Sequence, residues 1–316
     1  MTAPETRKRR ANLRDVARAA DVSVATVSRV LNSPASVSDG TRARVEAVIE
    51  RLRFTPSAAA RAMNSGRSRT VGALVPTLDH AIFARFLSAL EARLSEDGLS
   101  LVVATTGGDA QVELEKAKGL LEIGVEGLIV SGIARGAAFA QLTDRTQVPV
   151  IATSYYDPAC GLPTIGYDNR VVAQAALEHL CALGHRTIAV LHGPRRNNDR
   201  TEARIAGILE RAEGLSVALY EAEIGVAGGS AAVARLVEGG LRQSALLCLS
   251  DVLAVGALFE FQRRGIGVPG QISIMGIDDL PGSSCTVPAL STVRLPVSDM
   301  GGQAAAALAR WLETGV

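Results

Sequence analysis

The sequence predicts a small all-α helix-turn-helix headpiece followed by a two-lobed α/β core built on parallel sheets. Three observations carry this. Residues 13–32 read as two short helices around a tight turn. From residue 70 onward, nearly all-apolar runs of strand length alternate with helical stretches. The charge is also divided: residues 1–69 hold 14 Lys+Arg against 6 Asp+Glu, net +8, and the rest holds 19 against 26, net −7, within a total of +1. That asymmetry points to a polyanionic partner for the first part only.

In LRDVARAADVSVATVSRVLN (13–32), Asn12 is placed to cap the first helix, with Asp15 in its first turn near the positive end of the dipole. Leu13, Val16, Ala17 and Ala20 recur at helical spacing and make one apolar stripe. Ser23 can cap a second helix in which Val27, Val30 and Leu31 face inward. Val24, Ala25, Ser28, Arg29 and Asn32 are then left looking outward. A short helix offering small residues, hydroxyls and one Arg suits the DNA major groove, where Arg pairs with guanine and methyl groups pack on thymine. The basic arm Arg7–Arg10, with Arg14, Arg18, Arg42, Arg44, Arg51 and Arg53, is placed to contact phosphates, which give affinity without sequence information.

These residues resemble the DNA-binding headpiece of the LacI/GalR family of bacterial transcription regulators, and the resemblance extends over nearly the whole chain. SVATVSRVLN at 23–32 is similar to the recognition helix of galactose-type repressors. The resemblance implies a third helix over Ser38–Arg53, with Val45, Val48, Ile49 and Leu52 closing a small core alongside Phe54. It implies that Val24 and Ala25 select operator bases and that Arg29 adds a base contact, with Thr26, Ser28 and Asn32 also on the DNA side.

Pro56–Met63 (PSAAARAM) starts with a proline suited to a first helical turn and continues with strong helix formers. At about two turns it is too short to be stable alone in water. By resemblance it is a hinge helix that folds when two copies meet in the minor groove, with Arg61 on the DNA and Met63 at the wedge position that kinks the central base step. The polar stretch Asn64–Arg69 closes this linker. The expected domains are thus 1–55, the headpiece; 56–69, hinge helix and linker; and 70–316, the effector-binding and dimerisation domain.

In that last domain the runs at 70–75, 99–104, 127–130, 149–152, 187–191, 245–249 and 272–276 read as strands. Ala84–Asp97, Val112–Ile123, Asn169–Leu183, Val252–Arg264 and Val297–Glu313 read as helices. Alternating units with apolar strands mean parallel sheets covered on both faces, and the length favours two lobes. The resemblance implies a core like a periplasmic sugar-binding protein, whose chain crosses between lobes three times. The expected crossings are near 157–163 and 280–290, with the third at or beyond residue 316, where the family continues with another strand. Lobe 1 is then about 70–160 plus 286–316, and lobe 2 about 161–285.

A cleft at the carboxyl ends of the strands is where a small ligand should sit. Asp79 and Phe83, in PTLDHAIF, match family positions that hydrogen-bond and stack against the effector. Asp168, in GYDN, is either an effector contact or simply a helix N-cap. Arg204, in GPRRNNDRTEARIAG, matches the family's arginine that clamps effector oxygens; one extra residue before it leaves Asn197, Asn198 and Arg200 without assigned roles. Ile224 falls near a position where relatives carry an aromatic. Within LSDVLAVGAL, Ser250 is expected to face the effector and Asp251 to cap the following helix. Asp278, in GIDDLPGSSC, is expected to accept hydrogen bonds from ligand hydroxyls. Carboxylates and an Arg around an apolar cleft suit a polyol, sugar, sugar acid or purine, and such groups discriminate because an unmatched ligand leaves them unsatisfied.

Other chemistry is absent from the sequence. There is no G-x-x-x-x-G-K-[ST] loop and no strand–GxGxxG–helix fingerprint. His80, His179, His185 and His192 lack metal spacing, and Cys160, Cys181, Cys248 and Cys285 form no C-x-x-C pair. The basic N-terminus has no apolar signal-peptide region, and no apolar run reaches membrane-spanning length. The expectation is a cytoplasmic homodimer that is not an enzyme and carries no cofactor or metal, whose partners are double-stranded operator DNA and a small-molecule effector, without a membrane. The alternatives are a solute-binding protein of the periplasmic type, against which the basic headpiece stands, and a nucleotide-using enzyme, against which the missing phosphate loops stand.

Overall fold

The computed structural model describes residues 11–55 and 66–315, the side chain of Asn32 excepted. The Arg7–Arg10 arm and the expected hinge helix, with Arg61 and Met63, lie outside the described residues. The chain divides into two units, residues 1–68 and 69–316, each with its own core.

The first unit is helical. α1 (Leu13–Ala19) is capped by Asn12, whose side chain accepts from the amides of Arg14 (2.9 Å) and Asp15 (3.1 Å). Asp15 returns a bond to the Asn12 amide at 3.0 Å, which completes a capping box. Ser23 caps α2 (Val24–Asn32) through the Thr26 amide at 3.1 Å. α3 (Asp39–Leu52) ends at Arg53, which adopts the left-handed conformation (φ 47°), and the Phe54 amide bonds back to the Ile49 carbonyl at 2.9 Å. Val16, Ala17, Ala20, Val27, Val30, Val45, Val48 and Phe54 are buried together, so the apolar stripes of the three helices meet as the spacing predicts.

The second unit holds two five-stranded sheets in which every pairing is parallel. One has the order β2-β1-β3-β4-β5, from β1 (Thr70–Val75), β2 (Ser100–Thr105), β3 (Gly127–Ser131), β4 (Val150–Thr153) and β5 (Thr164–Ile165). It is flanked by α4 (Ala81–Glu96), α5 (Ala110–Glu122), α6 (Ala137–Thr146) and α11 (Val297–Thr314). The other has the order β10-β9-β8-β6-β7, from β6 (Thr187–His192), β7 (Ser216–Glu221), β8 (Ala245–Cys248), β9 (Ser273–Asp278) and β10 (Ser291–Arg294). Its helices are α7 (Asn169–Ala182), α8 (Asp199–Glu210), α9 (Val226–Glu238) and α10 (Asp251–Arg263). Central strands such as β4 and β8 are buried at every residue, as sheets covered on both faces require.

The crossings fall later than expected. β5 pairs with β4, Ala152 opposite Thr164, so the chain leaves lobe 1 after residue 165 rather than at 157–163. β10 pairs with β9, Thr292 opposite Gly276, so it returns at 295–296 rather than at 280–290. Both shifts have one cause: a two-residue strand and the half-polar strand STVR leave no apolar run to read. β7 and the helices α6, α8 and α9 likewise had no counterpart in the sequence reading. α11 packs on α4 of lobe 1 so closely that a Cβ at Gly301 would lie 2.6 Å from the Phe86 carbonyl oxygen.

Candidate functional site

In the helical unit, burial sorts α2 into two faces. Val27 and Val30 are buried, whereas Val24, Ala25 and Arg29 are exposed and Thr26 and Ser28 half-buried. Val24 is 43% exposed, so the outward face of α2 carries it together with Ala25 and Arg29. The Thr26 hydroxyl lies 2.9 Å from that of Ser23, so it shares in the cap rather than standing free for a base. Arg14, Arg18, Arg44, Arg51 and Arg53 are exposed; Arg42 pairs with Asp39 at 2.7 Å.

In the second unit a cleft of about 140 Å³ opens between the lobes at the carboxyl ends of the strands. An apolar cavity of about 150 Å³ holds one benzene ring, so this volume suits a single-ring or six-carbon ligand. Phe83, Arg204, Ser250 and Asp278 all line it. Phe83 stacks with His80, the ring centroids 6.4 Å apart, and the two form an aromatic wall on the lobe 1 side. Ile224 forms part of the opposite, apolar side.

Arg204 lies on α8, 8% exposed. Its Nε donates to Asn169 Oδ1 at 3.0 Å and its Nη1 to the Leu249 carbonyl at 2.6 Å. Asn169, fully buried at the start of α7, in turn donates to the Ser154 carbonyl of lobe 1 at 3.0 Å. Asp278 ends β9 with φ 136°, a backbone conformation that L-residues adopt rarely and that collects at functional sites. Its Oδ2 accepts from Ser250 Oγ at 2.8 Å. Burial pushes the Asp278 carboxyl up to about 7, helped by the neighbouring Asp251 carboxylate and opposed by the Arg204 charge and the bonds from Ser250 and Asp251. Arg204 and Asp278 thus present fixed, largely desolvated groups to whatever occupies the cleft.

Three expectations need correction. Asp79 is exposed, held by the Thr77 hydroxyl at 3.2 Å, and does not line the cleft; Thr77 and His80 do. Asp168 is exposed and caps α7 by accepting from the amides of Arg170 (2.8 Å) and Val171 (3.3 Å). Its neighbour Tyr167 reaches the cleft instead. Asp251 makes no cap. It is fully buried and accepts from the Ser283 and Thr292 hydroxyls, each at 2.6 Å, and from the Leu280 amide at 3.0 Å. A Cβ at Gly276 would sit 2.1 Å from its Oδ1, so the glycine leaves room for this carboxylate.

The lobes are also joined beside the cleft. Asp199 Oδ2, at the start of α8, accepts from the amides of Ile133 and, at 2.9 Å, Ala134 in lobe 1. That loop is shaped by Arg135, which donates to the Gly132 carbonyl at 2.6 Å, pairs with Glu113 at 3.2 Å and lies over the Phe139 ring. On the other side, Arg85 donates to the Asp279 carbonyl at 2.7 Å. Asn198, Arg200 and Thr201, which had no assigned role, line the cleft from the first turn of α8. Among the described residues no group of three or more His, Cys, Asp or Glu could hold a metal ion.

Residues 12–57 match the family model of bacterial regulatory proteins of the lacI family, and residues 177–315 match a periplasmic binding protein-like domain. The chain is similar to the HTH-type transcriptional regulator GntR of Pseudomonas aeruginosa, 33% identical over 303 residues that cover 94% of this chain and 88% of that protein. It is similar to the ribose operon repressor of Haemophilus influenzae, 30% identical over 297 residues, 92% of this chain and 89% of that one. Among solved structures it is similar to the lac repressor dimer bound to operator and the anti-inducer ONPF, with a TM-score of 0.86, 27% identity, and coverage of 96% and 93%.

Proposed function

Because the chain belongs to the lacI family of bacterial regulatory proteins, we propose that it is a repressor that binds a pseudo-palindromic operator as a homodimer in the cytoplasm, under control of a small effector. The observation that carries this reading is the pairing, in one chain, of an exposed Val24–Ala25–Arg29 face with an interlobe cleft lined by buried Arg204 and Asp278. Two headpieces read two half-sites, Val24 and Ala25 packing on base edges and Arg29 reaching a guanine. The effector, a sugar, sugar acid or similar, sits in the cleft against Phe83, with Arg204, Ser250 and Asp278 on its oxygens. It needs no resident cofactor or metal. By linkage it changes DNA affinity only as far as it prefers one arrangement of the lobes.

The test is selection of bound sequences from a randomised DNA library, followed by titration of the best site at two salt concentrations. A palindrome with steep salt dependence is expected, and Arg29→Ala should weaken it by about 1–3 kcal/mol and relax one base position. No enriched sequence, or an Arg29→Ala variant with unchanged preference, refutes the reading.

A further inference from the structure

We propose that the cleft ligand is a small hydroxylated anion whose carboxylate or phosphate oxygens are held by Arg200; this rests on the effector reading of the cleft given above. Arg200 lies one helical turn before Arg204 on α8, so both side chains leave the same face and line the same cleft. The two are used differently. Arg204 is spent on protein partners, through Nε to Asn169 and Nη1 to the Leu249 carbonyl. Arg200 makes only long contacts, both through Nη1: 3.3 Å to Ser131 Oγ and 3.4 Å to Asp199 Oδ1. Its Nε and Nη2 have no hydrogen-bond partner among the described residues. Yet the side chain is only 16% exposed. A guanidinium offers five N–H donors, and those of Arg200 that the protein leaves unused are open to the solvent of the cleft.

The surrounding charges offset Arg200 only in part, through the long ion pair of its Nη1 with Asp199 Oδ1. Asp199, the nearest carboxylate, has its Oδ2 on the Ile133 and Ala134 amides, and Glu113 is paired with Arg135. Among the described residues that line the cleft, Asp278 is the sole carboxylate, against two arginines. A neutral sugar would satisfy Asp278, Ser250 and Thr201 through its hydroxyls and leave the fork of Arg200 bare. An anionic group on the same small skeleton fills it, in the bidentate geometry that guanidinium and carboxylate or phosphate share.

The test uses the full chain in a thermal-shift and calorimetry panel of three matched sets. These are pentose and hexose aldonates and uronates, the corresponding sugar phosphates, and the same sugars and polyols uncharged. The tightest binding is expected in one anionic set, and which set it is identifies carboxylate or phosphate as the group. For the best compound, Arg200→Gln should weaken binding about 100-fold and weaken its neutral counterpart far less, and Arg200→Lys should recover part of the loss. The ratio of anion to neutral affinity is the deciding readout, because general damage to the cleft would lower both. A neutral compound that binds as tightly as its anionic counterpart overturns the proposal, as does an anion-to-neutral ratio that Arg200→Gln leaves within twofold, or a panel with no anionic hit. Operator release, followed by fluorescence anisotropy, separates the two levels of failure. Release by a neutral sugar keeps the effector reading and removes only the anion.

Discussion

Replacing Gly132 with Ala tests the junction between the lobes. Gly132 sits at φ +79°, and a Cβ there would lie 2.5 Å from Arg200 Nη1 and 2.7 and 2.8 Å from the Asp199 carboxylate oxygens. The left-handed backbone alone costs alanine about 1 kcal/mol. Relieving the contact means withdrawing Asp199 from the Ile133 and Ala134 amides, and loss of one hydrogen bond to a charged group costs about 2 kcal/mol more. The second penalty falls only on the arrangement in which the lobes are joined here; the first stays with the Gly132 backbone in either arrangement. The ratio of open to closed protein should therefore rise by roughly 30-fold, from the about 2 kcal/mol that separates the two arrangements. Small-angle scattering of the unliganded variant should report a larger radius of gyration, and affinity for any cleft ligand should fall by a similar factor. Asp199→Asn, which keeps the shape but weakens the acceptor, should give a smaller change in the same direction. A Gly132→Ala variant with the scattering profile and ligand affinity of the parent would show that this contact does not hold the lobes together.

Two further outcomes follow from the same geometry. The Asp278 carboxyl is raised from 3.8 to about 7, so between about pH 4 and 7 the folded protein keeps a proton that the unfolded chain has released. Stability must fall as pH rises through that window and level off above it, by about 2–3 kcal/mol between pH 5 and 8. Asp278→Asn should flatten this part of the urea-midpoint curve, and parallel curves for parent and variant would refute the assignment. Val27→Ala, at a fully buried position in the small helical core, should destabilise that unit by about 2 kcal/mol. Calorimetry should then show a lowered headpiece transition with the α/β transition unmoved; a shift of both would mean that the two units do not unfold separately.

What was legible in the sequence was what is decided locally. Asn12 with Asp15, and Ser23 with Thr26, cap their helices through residues two or three positions away, and a spacing of three or four sets the buried stripe of α2. Cleft residues were legible where a strand end fixes the direction of the side chain, as at Ser250 and Asp278. They were displaced where a helix start decides it: whether Asp168 or Tyr167 faces the cleft depends on which residue caps α7, and Asp168 is that cap. Asp251 was misread because its partners Ser283 and Thr292 are 32 and 41 residues away; nothing within one helical turn signals them. Arg200 was singled out without a role, since the Ser131 hydroxyl that its Nη1 reaches comes from the end of a strand in the other lobe.

The late return of the chain to lobe 1 matters for how the protein is made. α11 leaves the ribosome after the whole of lobe 2, yet it covers α4, β3, β4 and β5, which were synthesised before lobe 2. Until residues 297–314 emerge, the apolar surface destined for Met300, Ala304, Ala305 and Leu308 has no native cover, and the whole of lobe 2 must be translated in the meantime. At about 5–20 residues per second that wait lasts on the order of ten seconds. Lobe 2, continuous in sequence from α7 to β10, can close as soon as it appears. The nascent chain thus matures out of order, with lobe 1 completed only after lobe 2.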